Sequence, residues 1–323
     1  MKYAAGEARE WTRLNLRGYL TVLYTPFDES GTLDEQGLRH NVRETLALPG
    51  VGGLTVNSLH QEFWTLMDAE RRHLVEVVLD EVRGRKPVVI GCSDPSAIKA
   101  AEYARHAAAA GADLVMIWPP FYGPRSAAGV KAYYDFIADR IDIGLILYST
   151  TLSELGYYLA PPQVAALLGW RNICAVQNTT LNLAQYFAMM EQVGEHICVA
   201  TSLEEYHLQG QLAFPERAPG FLIGSSRPVF CQSTAKPHCG DFIAAVEARD
   251  FLAAAGHARR IMAIADNLQS QYFARGFHHV GLFKELAGMM GMRTGKVRPG
   301  IAPCEPTELA ASIAVLREAG VIG

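Results

Sequence analysis

The sequence has no apolar run long enough to span a bilayer, no CxxC pair among its six cysteines, and no HExxH, Cys/His zinc spacing or GxGxxG loop. Each absence removes a class of protein. Cys92, Cys174, Cys198, Cys231, Cys239 and Cys304 are scattered, several in apolar runs, and read as reduced thiols rather than a disulfide framework or a metal set. Charge is also sparse: 19% of residues are charged and the net charge is -4, which leaves no basic field for nucleic acid. The opening stretch MKYAAGEAREWTRLNLRG lacks the continuous apolar segment of a signal peptide, so the expected location is the cytoplasm. No cofactor, metal, membrane or nucleic-acid partner is expected.

What is present is ample core material, since 50% of the 323 residues are hydrophobic. That length suits two average domains or one large α/β barrel. Short apolar, β-branched runs alternate with amphipathic segments, the pattern of parallel strands joined by crossover helices. The runs are Tyr19 to Phe27, Gly53 to Ser58, Pro87 to Ser93, Asp113 to Pro120, Gly144 to Thr150, Ile173 to Asn178, Ile197 to Ser202 and Gly220 to Ser226. Eight of them predict an α/β fold of the (β/α)8 TIM-barrel class. After the last run, AAVEARDFLAAAGHARRIMAIADNLQ, GLFKELAGMMG and PTELAASIAVLREAG read as a three-helix C-terminal extension. The expected division is a barrel with a short N-terminal extension over residues 1–240 and a helical region over 241–323.

In such a fold the chemistry sits at the carboxyl ends of the strands. Candidates are therefore Thr25, the segment Asn57 to Glu62, Cys92 and Asp94, Tyr122, Tyr148 and Ser149, Gln177 to Thr180, Thr201 and Ser202, and Ser225 to Arg227.

At these positions several segments, in order, resemble the dihydrodipicolinate synthase and N-acetylneuraminate lyase family. They are TPFDESGTLDEQGL (Thr25 to Leu38), QEFWTLMDAER (Gln61 to Arg71), PPFYGP (Pro119 to Pro124), LILYST (Leu145 to Thr150) and LFKELAGMMGMRTGKVRP (Leu282 to Pro299). The resemblance implies a lyase, homo-oligomeric as a dimer or tetramer, acting on a small molecule through an imine between a lysine at the end of strand six and a 2-oxo acid. Here NICAVQN places Gln177 at the imine position and Asn178 at the neighbouring acidic one. A carboxamide nitrogen has no nucleophilic lone pair and cannot form that imine. SLHQE stands where the family has paired threonines, so Leu59 and His60 replace two hydroxyls. TLSELG offers Ser153 or Glu154 where the family carries a carboxylate-binding arginine.

The remaining residues are each open to two readings. Tyr148 matches the family's proton-relaying tyrosine, or packs with its hydroxyl on a carbonyl. Tyr122 matches a tyrosine that reaches across a subunit interface, or simply packs there. His60 is a general base or a loop-capping imidazole. Gln177 and Asn178 hold a carbonyl, amide or carboxylate of a ligand through paired donors and acceptors, or Gln177 merely fills the lysine's space and bonds to Tyr148. Ser225 and Arg227 bind an anion, or Arg227 is a solvated surface side chain. Adjacent His278 and His279 point in different directions on a helix and are not expected to share a metal. The resulting expectation is a hydratase, dehydratase or retro-aldol enzyme that has left imine chemistry, against a catalytically silent barrel that binds a ligand or partner.

Overall fold

A computed structural model describes residues 2–123, 125–151, 157–274 and 278–323. Its strands are β1 (Gly18–Val22), β2 (Val51–Val56), β3 (Val88–Gly91), β4 (Leu114–Ile117), β5 (Gly144–Thr150), β6 (Ile173–Thr179), β7 (Cys198–Ala200) and β8 (Phe221–Ser225). They form one eight-stranded sheet in the order β7-β6-β5-β4-β3-β2-β1-β8. Helix α1 (Ala8–Asn15) precedes the first strand. The connections carry α2 (Glu35–Ala47), α3 (Asp68–Val82), α4 (Ala97–Ala110), α5 (Ala127–Ala138), α6 (Pro161–Ala165), α7 (Leu183–Val193) and α8 (Glu204–Ala213), and α9 (Arg227–Phe230) follows β8. This is the (β/α)8 order read from the sequence. The strands are almost entirely buried, which is why they read as continuous apolar runs rather than as alternating ones.

The chain divides into two compact units, Met1–Leu20 with Pro87–Ile223, and Thr21–Lys86 with Gly224–Gly323. In the first, β3 to β7 pair in parallel. The N-terminal segment, expected only as an extension, plugs the amino ends of these strands. Arg9 donates to the carbonyls of Ile173, Leu168 and Trp170 at 2.9, 2.6 and 2.9 Å. Tyr3 Oη donates to Asp113 O and accepts from Gly144 N–H. A side chain at Gly144 would meet Leu114 Cδ2 at 2.5 Å, so the close approach of this segment requires glycine there.

In the second unit the C-terminal helices are α10 (His238–Glu247), α11 (Phe251–Ala265), α12 (Gln271–Ala274), α13 (Val280–Met289) and α14 (Pro306–Glu318). The first expected C-terminal helix is thus broken. Arg249 adopts a left-handed φ of 57°, and the Asp250 carboxylate restarts the helix by accepting from Ala253 N–H at 3.0 Å. Among the described residues no helix is long and apolar enough to cross a membrane.

Candidate functional site

The strand ends of the first unit carry a row of side chains. On β5 and β6, Tyr148 lies opposite Gln177, Ser149 opposite Asn178, and Thr150 opposite Thr179. Side chains alternate along a strand, and partners in a parallel pair share a face, so Tyr148, Gln177 and Thr179 project to one face and Ser149 and Asn178 to the other. The hydrogen bonds agree. Gln177 Nε2 donates to Thr179 Oγ1 at 3.1 Å, and Thr179 Oγ1 lies 3.5 Å from Ser202 Oγ. Ser149 Oγ instead donates to Leu159 O at 2.9 Å. Gln177 and Asn178, expected to hold a ligand through paired donors and acceptors, thus face opposite sides of β6. Asn178 is fully buried with both amide atoms unpartnered among the described residues, and the surrounding packing gives no reason for it.

Gln177 is 3% exposed and its Oε1 has no hydrogen-bond partner among the described residues. Rotating the amide by half a turn would seat the oxygen on Thr179 and leave the nitrogen open instead. Either orientation therefore keeps one polar atom available beside Tyr148. The Tyr148 ring lies 5.4 Å from Trp118, tilted by 37°. Trp118 in turn donates its backbone N–H to Ser93 Oγ at 3.0 Å, extending the row from the end of β3 to the end of β7. Trp118 is hard to single out in the sequence because it completes an apolar run. Its place directly after Ile117 at a strand end is the available signal. Tyr122 is 83% exposed, and Ser153 and Glu154 lie outside the described residues.

In the second unit, the loop after β2 is held by charge and by strained backbone. Leu59–Gln61 form one 3-10 turn flanked by Asn57 and Glu62, at φ 55° and 48°. Gln61 ties it down, accepting Asn57 N–H through Oε1 at 2.7 Å and Thr25 Oγ–H through its carbonyl at 2.9 Å. The Glu62 carboxylate is fully buried and receives Lys284 Nζ at 2.7 Å and Arg298 N–H at 3.2 Å. Lys284 also donates to Lys296 O and sits 4.5 Å from the Phe27 ring centre. Burial pulls the Lys284 pKa down and the Glu62 carboxylate opposes this. Gly295 closes the same region at φ 65°, where a Cβ would run into Phe27 O. Glu62 is thus an anchor of the turn that carries His60.

Leu59 and His60 are half-buried. The His60 ring meets His278 edge-on at 4.2 Å and Tyr24 at 6.0 Å, while His278 stacks on Phe283 at 5.0 Å. His279 turns away to Glu308 Oε2 at 2.9 Å. Burial pushes the His60 imidazole down to about 3 and His278 well below its usual value. An imidazole of that pKa is neutral at pH 7 and a weak proton acceptor. Ser225 Oγ accepts Arg227 N–H at 3.2 Å, capping the start of α9, and Arg227 is 6% exposed rather than a solvated surface arginine.

These neutral histidines set an acid limit on stability. Their folded-state pKa values lie below the ordinary 6.5, so the unfolded chain takes up protons first as pH falls and the unfolding free energy drops from about pH 6.5 downward. Urea midpoints measured between pH 7 and 4 should fall steadily, with a shallower slope in a His60→Asn variant. A slope unchanged by that substitution would show that His60 is not held neutral by the fold.

Eight strands joined by helices, with functional groups gathered at strand ends, define a protein of the (β/α)8 class. The dihydrodipicolinate synthetase family model matches residues 15–319, and the chain belongs to that family. A 4-hydroxy-tetrahydrodipicolinate synthase of Methanothrix thermoacetophila is 34% identical over 175 residues, 54% of this chain and 58% of that protein. The enzyme of the same name from Methylobacterium radiotolerans is 33% identical over 186 residues, 58% of this chain and 61% of that protein. The chain therefore spans about three fifths of the length of these relatives. Dihydrodipicolinate synthase from Thermotoga maritima superposes with a TM-score of 0.83 at 21% identity, covering 95% of this chain and 99% of that one. A prophage protein of the dihydrodipicolinic acid synthase family from E. coli K12, solved in complex with pyruvate, gives 0.81 at 23% identity with 95% and 99% covered. At these identities the solved structures establish the fold. The family read from the motif order and the fold read from the strand alternation are both borne out.

Proposed function

We propose that this protein is a lyase-superfamily enzyme acting on a small carbonyl- or carboxylate-containing compound without a lysine imine. The observation that carries this reading is Gln177, a carboxamide at the end of β6 in register with Tyr148, with one buried amide atom that has no hydrogen-bond partner among the described residues. Gln177 would orient a substrate hydroxyl, carbonyl or carboxylate by hydrogen bonding, while the Tyr148 phenol gives and takes the proton. Addition or elimination of water, or retro-aldol cleavage of a substrate already activated, needs no more than such an acid–base group and an orienting amide. His60, with its pKa near 3, acts in this scheme as a neutral hydrogen-bonding group and not as the base. Within the second unit the same reading assigns substrate contacts to Leu59, Ser225 and Arg227. Exposed Tyr122 is assigned to the interface of a cytoplasmic homo-oligomer, a dimer or tetramer.

Tyr148→Phe tests the assignment, because the phenyl ring keeps the contact with Trp118 and loses only the hydroxyl. With a panel of 2-oxo and hydroxy acids as substrates, kcat should fall by about 100- to 1,000-fold with an unchanged circular dichroism spectrum. The reading of a catalytically silent, ligand-binding barrel is favoured by the burial of Tyr148 and Gln177, 7% and 3% exposed. It predicts no turnover in either protein and ligand binding that survives loss of the hydroxyl.

A further inference from the structure

Away from the strand ends, α10 and α11 of the second unit bring His238, Asp241 and His257 together. His238 opens α10 and Asp241 follows three residues later, so both project from one side of that helix. His257 stands on α11, which packs against α10. The two imidazole centres are 5.9 Å apart, and one ligand atom from each of the three residues lies within 4.8 Å of the others. None of these contacts is a hydrogen bond: His257 Nδ1 and Asp241 Oδ2, for example, are 3.9 Å apart. Nδ1 of His238 and Nδ1 of His257 are both shielded from solvent and unpartnered among the described residues. An orphaned nitrogen on each of the two imidazoles carries a desolvation cost that an external group can relieve.

We infer that His238, Asp241 and His257 form a binding site for a divalent transition metal of the Zn2+ type, clipping α10 to α11. Two imidazoles and one carboxylate are a borderline donor set that suits Zn2+, whereas Mg2+ and Ca2+ favour oxygen alone. Bonds of about 2.0–2.1 Å in tetrahedral geometry bring ligand atoms to about 3.3 Å from one another, so the three side chains need to close by up to about 1.5 Å. Asp241 is 47% exposed and His257 21%, which gives the ion a route in and leaves the fourth position to water. Burial holds the His238 pKa below its usual value, and Arg260, His257 and Lys236 act in the same direction against Asp241. A neutral imidazole is the form that ligates. Lys236 donates to Ala319 O at 3.0 Å, and Asp241 opposes the effect of Arg260 and Lys236 on His238. The sequence shows no local signature of this site, because its third ligand comes from the next helix.

Chelator-treated protein titrated with ZnCl2 by calorimetry, and with Co2+ by visible absorption, tests the inference without any need for enzymatic turnover. The unsubstituted protein should bind a single equivalent of Zn2+, raise its melting temperature, and give the d–d absorption of four-coordinate Co2+. His257→Ala should weaken binding at least about tenfold. So should Asp241→Asn, which preserves size at a half-exposed position and keeps the test meaningful if the histidine variant is unstable. Absence of saturable binding by the unsubstituted protein, or binding of equal strength in both variants, would overturn the site.

Discussion

A Gln177→Lys variant incubated with pyruvate and borohydride is expected to gain a covalent adduct on residue 177. The new amine nitrogen attacks the ketone carbon, water leaves, and hydride from borohydride reduces the imine to a stable secondary amine. The location favours this chemistry. Position 177 is buried at the end of β6 and in register with Tyr148, so burial would depress the lysine pKa and raise the fraction of free amine. Tyr148 would be placed to supply the proton that the departing hydroxyl needs. High millimolar pyruvate and longer 2-oxo acids belong in the panel. Peptide mapping must place the adduct on residue 177. A variant that folds and forms no adduct with any 2-oxo acid would show that this strand end is not an imine pocket with its nucleophile exchanged.

Replacing Lys284 by alanine is expected to lower the unfolding free energy by about 3–5 kcal/mol, the usual cost of leaving one partner of a buried ion pair behind. Glu62 and Lys284 have side-chain exposures of 0% and 1%, so water cannot take the place of the missing ammonium. The Arg298 backbone N–H, at 3.2 Å, would be left to hold the carboxylate. Because Glu62 takes a left-handed φ of 48° immediately after the His60 turn, the same substitution should also loosen that turn. A Lys284→Met, Glu62→Gln double variant should be less destabilised than Lys284→Ala, since no uncompensated charge remains. Urea denaturation of the three proteins reads both effects. A loss below about 1 kcal/mol for Lys284→Ala would mean that the pair is solvated in solution.

The fold is legible because its strands are apolar on both faces and its helices on one. Strand β5 runs Gly144–Thr150, the span that the sequence predicts, whereas the first apolar run continues to Phe27 although pairing stops at Val22. Leu23, Tyr24 and Phe27 are buried and apolar without belonging to the sheet, and hydropathy cannot separate those two conditions. Helix α1 is not legible because its anchor, Arg9, bonds to carbonyls more than a hundred residues away. Nor is the break at Arg249, because a left-handed arginine leaves no mark on an apolar periodicity.

Within the site, counting along strands is enough to put Tyr148 and Gln177 at strand ends, and the two-residue period already separates Gln177 from Asn178. What the sequence cannot supply is company. The histidine beside His60 is His278, from the far end of the chain, and it is this packing that makes the imidazole a poor base. The burial of Arg227 and the meeting of His238 with His257 likewise depend on tertiary packing that no local pattern encodes.

The proposed chemistry does without a lysine imine. Borohydride trapping of the unsubstituted protein with pyruvate and other 2-oxo acids, read by intact mass, tests it most directly. The expected result is an unchanged mass under conditions that label Gln177→Lys. A stable adduct on any lysine of the unsubstituted protein would overturn that proposal and point to imine chemistry at another residue.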